Sequence, residues 1–174
     1  MIKEPTGLIA PITKNIPEQL AERPQWVCWR LEVREDKSTK VPYVPGTDRR
    51  ASSTDLMTWA TFPEAHAAYE AGTPLAYDGI GFVFSSADPF VGIDLDDCRD
   101  PDSGAVAPWA QSIISRVQEG YVEVSPSGKG VHIIVEGTAR GGRTRKKVCL
   151  KGKVVGEIEM YGQGRFFTIT GETL

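Results

Sequence analysis

Histidine and cysteine are scarce in this chain of 174 residues, which contains two histidines and three cysteines. The cysteines, Cys28, Cys98 and Cys149, are odd in number and far apart. A disulfide framework or a structural zinc site needs closely spaced pairs, so this pattern disfavours both. With so few soft ligands, any bound metal is expected to be a hard cation held by oxygen atoms.

Long apolar runs are also absent. The longest, such as 80–84 and 131–135, fall far short of the roughly 18–20 residues of a membrane-spanning helix. The first residues lack the charged and then apolar layout of a secretory signal. Hydrophobic residues make up 40% of the chain and charged residues 25%, which are ordinary globular values. We therefore expect one folded, cytoplasmic unit without membrane contact.

Charge is unevenly distributed, although the net charge is only −3. A cationic run from Ala139 to Lys153 holds seven basic residues and no acidic one, which leaves 13 basic and 23 acidic residues elsewhere. Residues 88–102 form an opposite cluster with six aspartates. A basic stretch beside an acidic one suits a protein that binds a polyanion together with a divalent cation. A solvated loop is the alternative for either cluster.

Hydrophobic alternation predicts a β-rich chain. Strands are expected over 26–33, 79–85, 90–96, 121–125, 131–135, 154–161 and 165–170, with a short edge strand over 40–44. Helices are expected over 63–71 after a Thr61 cap, over 108–118, and over 19–22 after an Asn15 cap, whereas residues 1–14 should be loosely held. The runs over 79–85 and 90–96 should form one antiparallel hairpin, and the runs over 154–161 and 165–170 should form another. The fold class is α+β, with a largely antiparallel sheet and flanking helices.

The strand over 90–96 carries a pair of carboxylates. Alternation directs Asp94 and Asp96 to one face, together with Gly92. Acids two residues apart on a strand lie about 6–7 Å apart at Cα and repel each other when no cation is present. An apolar strand that ends in such a pair is suited to hold Mg²⁺ or Mn²⁺. The alternative is a strand that simply runs into an Asp-rich turn.

The strand over 131–135 places His132 beside a loop rich in glycine and serine. This loop, residues 125–129, offers backbone N–H groups and the Lys129 cation, which suits phosphate oxygens. It is not a P-loop, because a strand rather than a helix follows. A purely structural histidine is one alternative. A nucleophilic Ser127–His132 pair is another, but no nucleophile elbow surrounds the serine.

The strand over 154–161 places Glu157 and Glu159 on its polar side, and the turn at 162–164 leads to Arg165, which can face the same cleft. An exposed polar edge is the alternative. Together, the three strands can line one surface of a single sheet with three carboxylates, one histidine and two cations. Two divalent ions need such a carboxylate set, and a triphosphate needs such cations.

These segments resemble the three motifs of the archaeo-eukaryotic primase superfamily. The motifs are a paired-Asp motif, a small-x-His motif and a single acid between hydrophobic residues, here Asp94-Leu-Asp96, Ser127-Gly-Lys-Gly-Val-His132 and Ile158-Glu-Met160. The flanks are similar, more narrowly, to primase-polymerase domains encoded by phages and plasmids. The flanking segments are Gln25-Trp-Val-Cys-Trp-Arg30, Lys40-Val-Pro42, Ala51-Ser-Ser-Thr-Asp55 with Trp59, and 164–171. The resemblance covers residues 25–171.

The resemblance implies an RRM-like catalytic core that performs template-directed nucleotidyl transfer from NTPs or dNTPs to a 3′-hydroxyl. It implies that Asp94, Asp96 and Glu159 bind two Mg²⁺ or Mn²⁺ ions. The triphosphate would contact His132, Ser127, Lys129, Arg165, Lys40 and Arg30, and the lack of a side chain at Gly130 would leave room for phosphate. Template phosphates would contact the cationic run through Arg140, Arg143, Arg145, Lys146 and Lys147.

On this reading, residues 1–24 form an N-terminal extension with a short helix, and residues 25–171 form the catalytic domain. Its expected partners are single-stranded or primed DNA and a nucleotide, together with a helicase or a helical priming domain outside this chain. Elongation or nucleotide binding is a firmer expectation than de novo priming. Two other classes stay open: a metal-dependent replication-initiator nuclease, for which a paired-histidine motif is missing, and a binding module without catalysis.

Overall fold

The computed structural model describes residues 7–34, 37–139 and 144–174. Within these ranges the chain forms nine strands and three short α-helices. The strands are β1 (Trp26–Arg34), β2 (Lys37–Tyr43), β3 (Gly79–Phe84), β4 (Phe90–Asp96), β5 (Tyr121–Val124), β6 (Val131–Glu136), β7 (Thr144–Leu150), β8 (Lys153–Tyr161) and β9 (Arg165–Ile169). The helices are α1 (Glu18–Ala21), α2 (Phe62–Glu70) and α3 (Pro108–Ile114), and two 3₁₀ turns lie at Thr13–Asn15 and Leu56–Thr58.

The strands form two antiparallel sheets. One has four strands in the order β2-β1-β3-β9, and the other has five in the order β5-β6-β4-β8-β7. The predicted α+β class with antiparallel pairing is confirmed. The predicted edge strand, β2, which contains Pro42, lies at a sheet edge as expected. The RRM-like arrangement of the core stays a prediction.

Both predicted hairpins are wrong, because β3 and β9 belong to the four-stranded sheet whereas β4 and β8 belong to the five-stranded one. The link between β3 and β4 is a corner organised by Asp88. Its carboxylate accepts hydrogen bonds from the backbone N–H groups of Ser85 and Phe90 and from the Gln25 side chain. A corner of this kind carries the same polar residues as a hairpin turn, so the local sequence does not distinguish the two.

Part of the cationic run is strand β7, which the sequence analysis did not predict. It pairs with β8 through a tight turn at Lys151 and Gly152, both with positive φ. The strand is almost entirely exposed and lies at the edge of the five-stranded sheet. Charged side chains on an edge strand discourage pairing with another chain, which explains a strand without an apolar pattern.

The described part of the N-terminal segment, from residue 7 onward, is tied to the rest of the protein rather than loose. Ile9 N–H donates to the Pro126 carbonyl and Ile12 N–H to the Thr170 carbonyl. The predicted Asn15 cap is wrong, because the Asn15 amide donates instead to the Gly171 carbonyl and α1 begins after Pro17. Helix α2 has the predicted Thr61 cap, and α3 ends at residue 114, four residues before its predicted end.

The buried apolar side chains form two clusters, and a strip of polar side chains lies between them. One cluster lies around the four-stranded sheet and includes Phe82, Phe84 and Phe167. The other joins α3 to the face of the five-stranded sheet that carries Leu95 and Ile133. Because alternate residues point to opposite faces, this packing turns the polar residues of β4, β6 and β8 towards the four-stranded sheet. In the described part of the chain, no helix is long and apolar enough to cross a membrane.

Candidate active site

A row of five polar residues crosses the five-stranded sheet, one on each strand. Strand pairing aligns them in the order Glu123, His132, Asp94, Glu159 and Arg145. Residues directly opposite each other in antiparallel strands have Cβ atoms about 4.5–5.5 Å apart and share a face. The three motif strands are therefore neighbours in one sheet, with their acids and histidine on one surface.

Asp94, at the centre of the row, is the least satisfied of these side chains. Its Oδ1 atom is buried and has no hydrogen-bond partner among the described residues. The Nε2 atom of His132 lies 3.8 Å from it. Burial raises the pKa of Asp94; His132 and Lys40 oppose this shift and Glu159 adds to it. Burial therefore disfavours the charged form of Asp94 more than the nearby cations favour it.

Asp96, at the exposed end of β4, is likewise disfavoured in its charged form. Partial desolvation, and then the charge of Asp94, raise its pKa to about 6. Its direct cross-strand partner is another acid, Glu157. Like charges directly opposite each other in a sheet destabilise it unless a cation lies between them.

Glu159 is engaged by an arginine that was predicted to bind template phosphates. The Nε atom of Arg145 lies 3.1 Å from Glu159 Oε1, and the same guanidinium forms a bidentate pair with Glu157. Arg145 and Lys147 lie on the face of the acids, whereas Lys146 is opposite Ile158 and therefore lies on the other face. The predicted template-binding residues thus do not form one surface, and Arg140 and Arg143 lie outside the described residues.

His132 is buried and held on two sides. Its Nδ1 atom lies 3.0 Å from Glu123 Oε1, and its ring stacks on Phe167 with centroids 4.6 Å apart. The sequence analysis missed Glu123. The available signal was a single acid in the otherwise apolar strand β5, which is fully buried in the structure.

Two of the predicted phosphate ligands line a cleft between the sheets. Lys40 and Arg165 border a cavity of about 200 Å³ together with Asp94 and His132. Lys40 Nζ is 3.4 Å from Thr168 Oγ1, and burial lowers the pKa of Lys40 while the carboxylates oppose that shift. An adjoining cavity of about 500 Å³ shares Lys40 and Arg165 and adds Arg50, which the sequence analysis also missed.

Arg30 does not reach this cleft. Its guanidinium lies over the rings of Tyr43 and Tyr77, at 4.3 and 5.0 Å from their centroids, and pairs with Asp48. The reason is strand parity: Arg30 is opposite Val41, one position away from Lys40, so the two cations leave the sheet on opposite faces.

Ser127 and Lys129 lie on an exposed turn beside the end of β4, and neither lines the 200 Å³ cavity. The Lys129 carbonyl accepts from Cys98 N–H, which fixes the turn there. The packing requires glycine at position 130, because a Cβ there would lie 2.9 Å from the Leu95 carbonyl oxygen. Its missing side chain therefore permits close strand packing, and the room for phosphate stays a prediction.

The donor set fits a hard divalent cation. In the described ranges, no three His, Cys, Asp or Glu side chains are gathered into a ready metal cluster. However, the available donors are carboxylate oxygens, the ligands that Mg²⁺ and Mn²⁺ prefer. The unpartnered Asp94 Oδ1 and the raised pKa values of both aspartates are features that a bound cation would reverse. Glu159 would first have to exchange Arg145 for the ion.

Comparison with known proteins agrees with the motifs. No protein-family model matches the chain. A protein named DNA primase-polymerase from Nitratiruptor phage NrS-1 is 37% identical over 153 residues, which are 88% of this chain. The matched region is 20% of that protein, so the chain spans about a fifth of its relative's length. The motif strands and this similarity both point to the primase-polymerases of phages. The chain is a relative of the phage primase-polymerases, and the resemblance drawn from its motifs is confirmed.

Proposed function

We propose that this domain transfers nucleotides from NTPs or dNTPs to a primer 3′-hydroxyl on a DNA template. One observation carries the proposal: Asp94 lies in register between His132 and Glu159, beside a cleft that two cations border. The similarity to a protein named DNA primase-polymerase supports the same activity. A helicase or a helical priming domain as partner stays a prediction.

Asp94, Asp96 and Glu159 are the residues that would hold Mg²⁺ or Mn²⁺. When bound, two such ions lower the pKa of a 3′-hydroxyl and stabilise a leaving pyrophosphate. The protein contributes the carboxylates on adjacent strands, whose mutual repulsion gives the site its preference for cations.

The cations at the cleft would bind and orient the triphosphate. Lys40 projects from β2 and Arg165 from β9, so they approach the acids from the opposite sheet. His132 offers a ring nitrogen on the third side. Phe167 packs against this ring and limits the access of water. Charge-assisted contacts from three directions would fix the α-phosphate relative to the carboxylates.

The initiator-nuclease alternative receives no support from the second histidine. His66 lies on α2, where its ring stacks on Phe62 and its Nε2 is 3.6 Å from Glu70. It does not line the cleft, so a metal site based on two histidines is missing there.

Primer extension with dNTPs and Mn²⁺ tests the proposal. The wild type should extend a labelled primer, and the D94A/D96A variant should not. D102N is the matched control, because Asp102 belongs to the same acidic cluster but is exposed and outside the cleft. Cleavage of the template would favour the nuclease, and nucleotide binding without extension would favour the binding module. Either result would overturn the proposal.

A further inference from the structure

Glu123 is a buried carboxylate that the proposed reaction does not use directly. It lies on β5 with no exposed surface, in direct register with His132 of β6. A carboxylate without solvent is strongly unfavourable unless donors surround it. Its partners therefore show what it does.

The two oxygens of Glu123 have different partners. Oε2 accepts from the Tyr121 hydroxyl at 2.7 Å and from the backbone N–H groups of Thr170 and Gly171 at 2.9 and 2.8 Å. Backbone N–H groups can only donate, so this oxygen must be an acceptor. Oε1 faces a single partner, the Nδ1 atom of His132 at 3.0 Å.

These contacts determine the orientation of the imidazole. A carboxylate is an acceptor only, so Nδ1 carries a proton and donates it to Oε1. Nε2 is then the nitrogen on the side of Asp94, which lies 3.8 Å away. Stacking on Phe167, with an interplanar angle of 20°, keeps the ring from tilting.

We propose that Glu123 is a positioning residue, which holds His132 with Nδ1 bound and Nε2 presented to the triphosphate. The inference rests on the proposed function for its substrate, but its structural part does not. Glu123 acts through the histidine and touches neither the metal-binding acids nor the nucleotide.

The substitution Glu123→Gln replaces one of the two carboxylate oxygens by a donor group. An amide has one acceptor oxygen and one NH₂ donor. The oxygen must remain with the two backbone N–H groups, because leaving these unpaired in the core is strongly destabilising. The NH₂ group therefore faces Nδ1, which must become an acceptor, and the ring proton moves to Nε2.

The first test is ring nitrogen NMR of His132 at a pH where the imidazole is neutral. The wild type should show the Nδ1–H tautomer and E123Q the Nε2–H tautomer. Y121F is the matched control: it removes one donor from the same carboxylate, and it should keep the Nδ1–H form. A wild-type ring in the Nε2–H form would overturn the proposal, and this measurement does not require that E123Q folds.

The second test is titration of dGTP in the presence of Mn²⁺ without primer. A phosphate oxygen only accepts, so Nε2 must also carry a proton to bind it, and only a carboxylate at position 123 supports a ring that donates from both nitrogens. E123Q should therefore weaken binding about ten-fold, the difference between a charge-assisted and a neutral hydrogen bond, whereas Y121F should stay within two-fold. Equal affinity for the wild type and E123Q would overturn the positioning role. If the wild type binds neither dGTP nor GTP, the proposed function fails, while an Nδ1–H tautomer would still support the Glu123–His132 arrangement.

Discussion

Asp94 on β4 lies directly opposite Glu159 on β8, so antiparallel pairing joins carboxylates from segments 65 positions apart in sequence. This register places the carboxylates of the two strands on one surface, which we propose binds a divalent cation. It also makes the metal-free protein electrostatically unfavourable, because neighbouring acids share a partly buried face. The first three of the predictions below depend on this balance of charges.

The substitution D96N should stabilise the metal-free protein at pH 7.5. The folded-state pKa of Asp96 is raised to about 6, from 3.8. An acid with a raised folded pKa opposes folding as pH rises above about 3.8, and the loss is complete above about 6. Because the side chain is exposed, the gain should be only about 1 kcal/mol, or a Tm about 2–4 °C higher.

Thermal unfolding in EDTA measures this effect at two pH values. The gain from D96N should be present at pH 7.5 and almost absent at pH 4. D102N, in the same acidic cluster, should not change the Tm. A lower Tm for D96N at pH 7.5 would contradict the electrostatic account.

Mn²⁺ should raise the Tm of the wild type and EDTA should reverse the change. A ligand that binds only the folded state at one hundred times its Kd stabilises it by about 2.7 kcal/mol. The increase should be smaller at pH 5, where a larger fraction of Asp96 is protonated. The D94N/D96N variant should show no increase. A Mn²⁺ effect that survives in this variant would place the ion elsewhere.

The substitution R145A should increase the affinity for Mn²⁺ a few-fold. Arg145 pairs with Glu157 and Glu159, and its removal frees an acid that the ion needs. Since the Arg145 side chain is 54% exposed, its removal should cost little stability. Calorimetric titration with Mn²⁺ tests this. K146A is the control, on the same strand but on the opposite face, and equal affinities for both variants would refute the competition.

The substitution G92A should damage the site through packing. A Cβ at this position on β4 would lie 2.6 Å from the Phe84 ring and 2.7 Å from the Phe167 ring. Phe167 would have to leave its stacked position on His132, with a loss of about 1–3 kcal/mol in stability. Denaturant unfolding should show a lower stability, and dGTP should bind more weakly. G137A is the control, because its nearest neighbour would be 3.9 Å away; similar losses for both variants would rule out this mechanism.

The sequence predicts the faces of the strands better than their partners. Alternation correctly places Asp94, Asp96 and Glu159 on polar faces, because side-chain direction depends only on parity along a strand. It does not show that β3 and β4 lie in different sheets, because a corner and a hairpin use the same residues. Glu123 and the pairing of Arg145 with the acids were missed for a related reason: these contacts depend on partners in register across the sheet.

The contacts at Thr170 and Gly171 can form only late in synthesis, because both residues follow the rest of the site in the chain. Both residues donate to Glu123, and Ile12 and Asn15 bind the same short segment from the other side. A growing polypeptide therefore cannot complete the support of its imidazole until residue 171 has left the ribosome. The candidate site is therefore complete only when the segment around Ile12 has met the segment around Gly171.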